Sequence, residues 1–91
     1  MLNLIAYDVK DARRLRKIAR ICSDYGVRVE YSVFECDLKE EVFRIFCDRI
    51  RKVIDPEQDR FIAYRVCAAC ERKAIRIGMK KREAKPRFYI I

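Results

Sequence analysis

The chain has 91 residues, 22 Lys and Arg against 14 Asp and Glu, and no histidine. That length makes one domain with a marginal core of its own. Without histidine, Ser-His-Asp, Cys-His and His-metal devices are excluded, leaving carboxylates and a hard cation such as Mg²⁺ as the route to cutting a bond.

A net charge of +8 calls for a polyanionic partner, nucleic acid before an anionic membrane. No apolar run approaches the roughly 20 residues that span a bilayer. Met1-Leu2-Asn3 opens into a strand-like run with no basic leader, and the five cysteines are odd in number and irregularly spaced. Both features predict reduced thiols and a cytoplasmic protein. Hydrophobic residues make up 52% of the chain, more than so short a domain covers alone, which predicts a homodimer.

Leu2 to Tyr7 reads as a buried strand ending at Asp8. Asp11 is a good N-cap for a helix with Leu15, Ile18, Ala19 and Cys22 on its apolar face, and Gly26 stops it as a C-cap. Val27 to Cys36 alternates as one long strand, with Val27, Val29, Tyr31 and Val33 on one face. Asp37 and Glu40 have the spacing of a capping-box variant. A second helix follows, striped by Val42, Phe46, Ile50 and Val53, and Asp55-Pro56 stops it. Arg60 to Val66 is a further alternating strand, Cys67 to Arg72 a turn, and Ala74 to Gly78 another strand. Residues 79–86 are basic and exposed, and Phe88 to Ile91 is a short strand that needs docking.

If the long strand bends into a hairpin, this order becomes the split βαβ of the ferredoxin-like class. The expected architecture is α+β, a ferredoxin-like βαββαβ sandwich in a single domain, 1–91. The basic segment 72–91 would complete the sheet or the dimer through an extra C-terminal strand.

Three stretches carry a more specific message. Ala6-Tyr7-Asp8-Val9 ends a strand in Tyr-Asp; Asp11-Ala12-Arg13-Arg14-Leu15-Arg16-Lys17 opens an Arg-rich helix; Tyr25-Gly26-Val27-Arg28-Val29-Glu30-Tyr31-Ser32-Val33-Phe34-Glu35 joins a helix stop to a Ser-Val-Phe-Glu strand. In this order and spacing they resemble the CRISPR-associated Cas-two family over about the first two-thirds of the chain. The resemblance implies a ferredoxin-like homodimer whose strand-one aspartates, here Asp8, face each other across the two-fold axis and share one Mg²⁺. It implies metal-dependent endonuclease activity on RNA or DNA. It also implies a place in the spacer-acquisition complex of antiviral defence, bridging dimers of an integrase of the Cas-one type. Glu30 stands where the family usually has Gln, adding negative charge near the expected metal or phosphate.

Asp8 is the expected catalytic and metal-binding residue. From spacing alone, a strand-end carboxylate capping a loop is the commoner reading; the resemblance reverses that order. Tyr7 points to the opposite sheet face and belongs in the core. Ser32 is available to bond a phosphate or a metal-bound water. Phe34 is available to stack on a base or to pack a dimer interface.

Arg13, Arg14, Arg16, Lys17 and Arg20 crowd one short helix with no acid among them, so i,i+4 neutralisation within the stretch is impossible and phosphate is the natural partner. Arg28 on the next strand joins this set, as do Lys80, Lys81 and Arg82. The last three lie in a run of eight cations with one acid, Glu83, between positions 72 and 87. Aromatic residues are sparse there, which favours backbone over base contacts. Cys67 and Cys70 form a lone Cys-x-x-Cys with no second pair and no histidine; buried thiols in a turn are expected, not zinc.

Alternatives to the nuclease are a non-catalytic scaffold bridging integrase dimers, a toxin-like ribonuclease, and a regulatory module that binds a small ligand. The basic C-terminal run argues against the last.

Overall fold

The structure, a computed structural model, describes residues 1–73. In chain order the elements are β1 (Leu2–Asp8), α1 (Ala12–Tyr25), β2 (Val27–Glu30), β3 (Val33–Asp37), α2 (Glu40–Arg51), β4 (Arg60–Val66) and a short α3 (Ala68–Arg72). The strands form one sheet in the order β2-β3-β1-β4, with every neighbouring pair antiparallel. This is the expected ferredoxin-like α+β sandwich. The expected strand at 74–78, the basic stretch 79–86 and the terminal strand 88–91 fall outside the described residues.

The register sorts side chains onto two faces, because cross-strand partners share a face and neighbours along a strand alternate. Ile5 pairs with Phe34 and Ala63, and Tyr7 pairs with Phe61. These residues face α1 and α2. Ile18, Ile21 and Cys22 of α1 and Phe46 and Ile50 of α2 close over them as the core. Fully burying such a side chain contributes roughly 1.5–3 kcal/mol. Leu2, Leu4, Ala6 and Asp8 point the other way, alongside Val33, Glu35, Arg60, Ile62 and Tyr64. That second face is uneven: Leu2 and Glu35 are buried, whereas Ile62 is 40% and Tyr64 54% exposed.

The helix caps follow local chemistry, with two corrections. Asp11 caps α1 as expected, its carboxylate accepting the Arg14 N–H at 2.9 Å. Gly26 does end α1, yet its φ of −164° is extended, not left-handed. Glycine is needed there for closeness: a Cβ would collide with the Glu35 carbonyl and come within 2.5 Å of Cys36 Sγ. The expected capping box at α2 does not form. Asp37 ends β3 with its carboxylate 3.3 Å from the N-terminal ammonium of Met1, and the N-cap is Lys39, without a side-chain bond. Glu40 and Glu41 in the first turn and Arg49 and Arg51 in the last suit the helix dipole instead.

The expected long strand is two strands, β2 and β3, joined at Tyr31 and Ser32, with a register shift between Arg28 and Glu30. The turn lets Ser32 return to β1, where its carbonyl accepts the Tyr7 N–H at 3.2 Å. The expected turn over 67–72 is mostly the helix α3, and Cys67 is exposed, not buried. The side chain of Cys70 is outside the described set. No helix among the described residues is long and apolar enough to cross a membrane.

Candidate active site and nucleic-acid interface

Asp8 is the last residue of β1, one of the two central strands. Its side chain is 63% exposed, and Lys10 Nζ lies 3.2 Å from Oδ2. Across the β1–β4 pairing its direct partner is Arg60, so a guanidinium-bearing residue shares its end of the sheet face turned away from α1 and α2. Sequence reasoning missed Arg60, because only the β1–β4 register brings it to Asp8. Arg60 also borders a hollow of about 490 Å³ between the end of α2 and β4, with Ile50, Ile54 and Phe61 in its walls.

The rest of the expected set divides in two. Tyr7 is core, as expected: it is 6% exposed and stacks on Phe34 at 6.2 Å and on Phe61 at 6.4 Å. Burial raises its phenol pKa above the ordinary value, with the nearby Arg28 pulling the other way. Phe34 departs from expectation. It is fully buried under the helices, which leaves it neither a free base-stacking face nor a place in an exposed interface. Ser32 is half-buried beside the Tyr7–Asp8 end of β1. Arg28 is exposed on the edge strand, with its guanidinium 5.1 Å from the Phe34 ring centre and 5.8 Å from that of Tyr31. A cation over aromatic faces is held in place while its edge stays open.

On α1, Arg13, Arg16, Lys17 and Arg20 are exposed and surround a surface hollow of about 220 Å³. Among the described residues none of the four forms an ion pair. Arg14 stands apart. Its Nε donates to Asp59 Oδ2 at 2.8 Å and its Nη2 to Oδ1 at 3.2 Å, a bidentate fork. Lys80, Lys81 and Arg82 lie outside the described residues.

A hard divalent cation needs oxygen ligands, and Mg²⁺ is satisfied by one or two carboxylates plus waters. No group of three or more His, Cys, Asp and Glu that could hold a metal occurs among the described residues. Among the described residues of one chain Asp8 is then a single candidate ligand at this end of the sheet, and a second copy would add its own Asp8.

The family model described as CRISPR associated protein Cas2 matches residues 1–74. The chain belongs to the Cas2 family. It is 42% identical over 79 residues to the CRISPR-associated endoribonuclease Cas2 1 of Chloroflexus aurantiacus, covering 86% of this chain and 85% of that protein. It is 38% identical over 85 residues to the CRISPR-associated endonuclease Cas2 of Halalkalibacterium halodurans, covering 88% of each. Its fold is similar to the crystal structure of Streptococcus pyogenes Cas2, with a TM-score of 0.75 and 34% identity over 86% of this chain and all of that one. The expected family and the Cas2 fold thus both stand.

Proposed function

We propose that this chain is a CRISPR-associated nuclease that hydrolyses phosphodiester bonds in RNA or DNA. In this reading two copies associate through the sheet face turned away from α1 and α2. The observation that carries it is the position of Asp8: an exposed carboxylate ending a central strand on that same face. Ile62 and Tyr64 lie on the face as exposed apolar surface suited to a self-complementary two-fold interface. The relatives named endoribonuclease and endonuclease support the reaction class.

A two-fold axis near the Asp8 end of β1 would give one Mg²⁺ per dimer two carboxylates, with waters completing its shell. When bound, the ion supplies a Lewis acid for a phosphoryl oxygen and lowers the pKa of a bound water. The chain's own residues do the rest. Asp8 would hold the ion in place of its contact with Lys10. Arg60 meets the negative charge of the phosphate beside it. Arg13, Arg16, Lys17 and Arg20 hold the flanking backbone together with Arg28, and Lys80, Lys81 and Arg82 add positive charge for the same polyanion. The same surface suits a subunit that binds an integrase of the Cas-one type and holds incoming DNA during spacer acquisition.

A second reading, a scaffold that binds nucleic acid without cutting it, is favoured by one observation: the Asp8 carboxylate is already contacted by Lys10. One experiment separates the two. The nuclease reading expects Mg²⁺-dependent cleavage of RNA or DNA by the wild type, lost in Asp8→Ala while nucleic-acid binding stays nearly intact. Cleavage that survives in a contaminant-free Asp8→Ala preparation overturns the metal role, and a wild type that binds but never cuts selects the scaffold.

A further inference from the structure

Asp59 precedes β4, and its carboxylate accepts four hydrogen bonds. Its side chain is fully buried. Oδ1 accepts the Lys10 N–H at 3.0 Å and Arg14 Nη2 at 3.2 Å; Oδ2 accepts Arg14 Nε at 2.8 Å and the Asp55 N–H at 2.9 Å. A buried carboxylate is costly unless its lone pairs are met, and here both oxygens are occupied twice. The Arg14 fork, followed by the Lys10 and Asp55 N–H groups, holds its pKa far below the usual carboxylate range, so the group stays ionised.

Its own segment and two of the segments it bonds adjoin the candidate site. Lys10 lies two residues beyond Asp8 and touches it. Arg14 is in the first turn of α1, ahead of the exposed cations Arg16, Lys17 and Arg20. Asp59 is adjacent to Arg60, the cross-strand partner of Asp8. Between Asp8 and Asp11 the chain has left the sheet and not yet entered the helix. The Lys10 N–H bond to Asp59 and the buried Val9 side chain fix its course there.

We infer that Asp59 is a positioning residue for Asp8: it pins the β1–α1 loop through the Lys10 N–H and Arg14, and withdraws Arg14 from the nucleic-acid surface. The inference rests on the reading of Asp8 as a metal carboxylate. Asp59 acts on Asp8 through the loop, not by a bond to it, so the roughly tenfold to hundredfold loss of metal affinity on removing a residue bonded directly to a ligand sets the upper scale here. The claim about Arg14 is independent of the metal. A guanidinium whose fork is filled by a buried carboxylate has no such fork to offer a phosphate.

The test uses the full chain and Mn²⁺ alone, without substrate, followed by electron paramagnetic resonance of the free and bound ion. Wild type, Asp8→Ala, Asp59→Asn and Arg14→Lys are compared at a temperature where each is folded by circular dichroism. Asp8→Ala should abolish binding, Asp59→Asn should weaken it by roughly tenfold, and Arg14→Lys should weaken it less. Wild-type Mn²⁺ affinity in a folded Asp59→Asn, even with a lower melting temperature, overturns the positioning role and leaves the metal reading standing. Wild-type affinity in Asp8→Ala instead removes the metal reading, and the positioning role with it. If Asp59→Asn does not fold, Arg14→Lys decides: unchanged affinity there overturns the proposal. For the second half, the salt dependence of duplex binding should be the same in Arg14→Ala as in wild type. A slope shallower by about one unit would place Arg14 on the backbone after all.

Discussion

Asp8 and Arg60 are direct partners across the β1–β4 pairing, so an exposed carboxylate and an arginine meet at one end of the sheet face turned away from the helices. A phosphodiester drawn to a cation on Asp8 would bring its negative oxygens to Arg60. Arg60→Ala should therefore lower the rate of Mg²⁺-dependent cleavage on the order of a hundredfold, the scale of losing one fixed donor at developing charge. Single-turnover kinetics at saturating nucleic acid measure this. An unchanged rate would show that Arg60 does not face the reacting phosphate.

The α1 cations make a separate prediction. Arg16 and Lys17 are exposed and without ion pairs among the described residues, so each is available to displace a counterion from a phosphate. Replacing both with alanine should make the plot of log binding constant against log salt shallower by about two units. Fluorescence anisotropy over a salt series would read it, and a slope equal to wild type would remove α1 from the interface.

Phe34 was open to two surface roles from sequence and has a third. It is fully buried between Ile5, Tyr7 and the helices. Phe34→Ala should cost about 3–5 kcal/mol of stability, as large core truncations do, and lower the nucleic-acid affinity of the folded fraction only slightly, through the Arg28 guanidinium that rests on its ring. Denaturant unfolding checks the first figure. A loss of affinity with no loss of stability would return Phe34 to the binding surface.

The buried thiols predict an alkaline limit. Burial pushes Cys22 and Cys36 up to about 12 from 9.0. In the unfolded chain they lose their protons earlier, so between those values the folded state holds more protons than the unfolded one and stability falls as pH rises. Stability should be flat with respect to these groups below about pH 8 and decline above pH 9. At pH 8, iodoacetamide should label exposed Cys67 in the native protein and spare Cys22 and Cys36 until denaturant is added. Rapid native labelling of Cys22 would contradict the packing of α1 on β3.

Legibility in the sequence followed the reach of each signal. Asp11 and the stripe of Leu15, Ile18, Ala19 and Cys22 gave α1 because a cap and a helical period are local. Tyr7 was placed in the core by alternation alone. A bend of the long strand into a hairpin was expected for this fold, but its place at Tyr31 and Ser32 was not legible, because Val27 to Cys36 alternates without Gly, Pro or Asn. The register shift between Arg28 and Glu30 that accompanies it leaves no compositional mark. Asp37 looked like a cap by spacing, but the Met1 ammonium competes for it, a contact across 36 positions. Arg60 and Asp59 were invisible for the same reason. One reaches the site through strand register, the other through bonds linking Lys10, Arg14 and Asp55. Arg14 therefore read as one more phosphate cation, although its guanidinium is committed inward.

The central claim is a shared carboxylate site, and a crystal structure grown with Mg²⁺ tests it most directly. The account predicts two chains related by a two-fold axis, with both Asp8 carboxylates bound directly or through water to one ion between them. Chains that associate through another surface, with the two Asp8 side chains far apart, would contradict it.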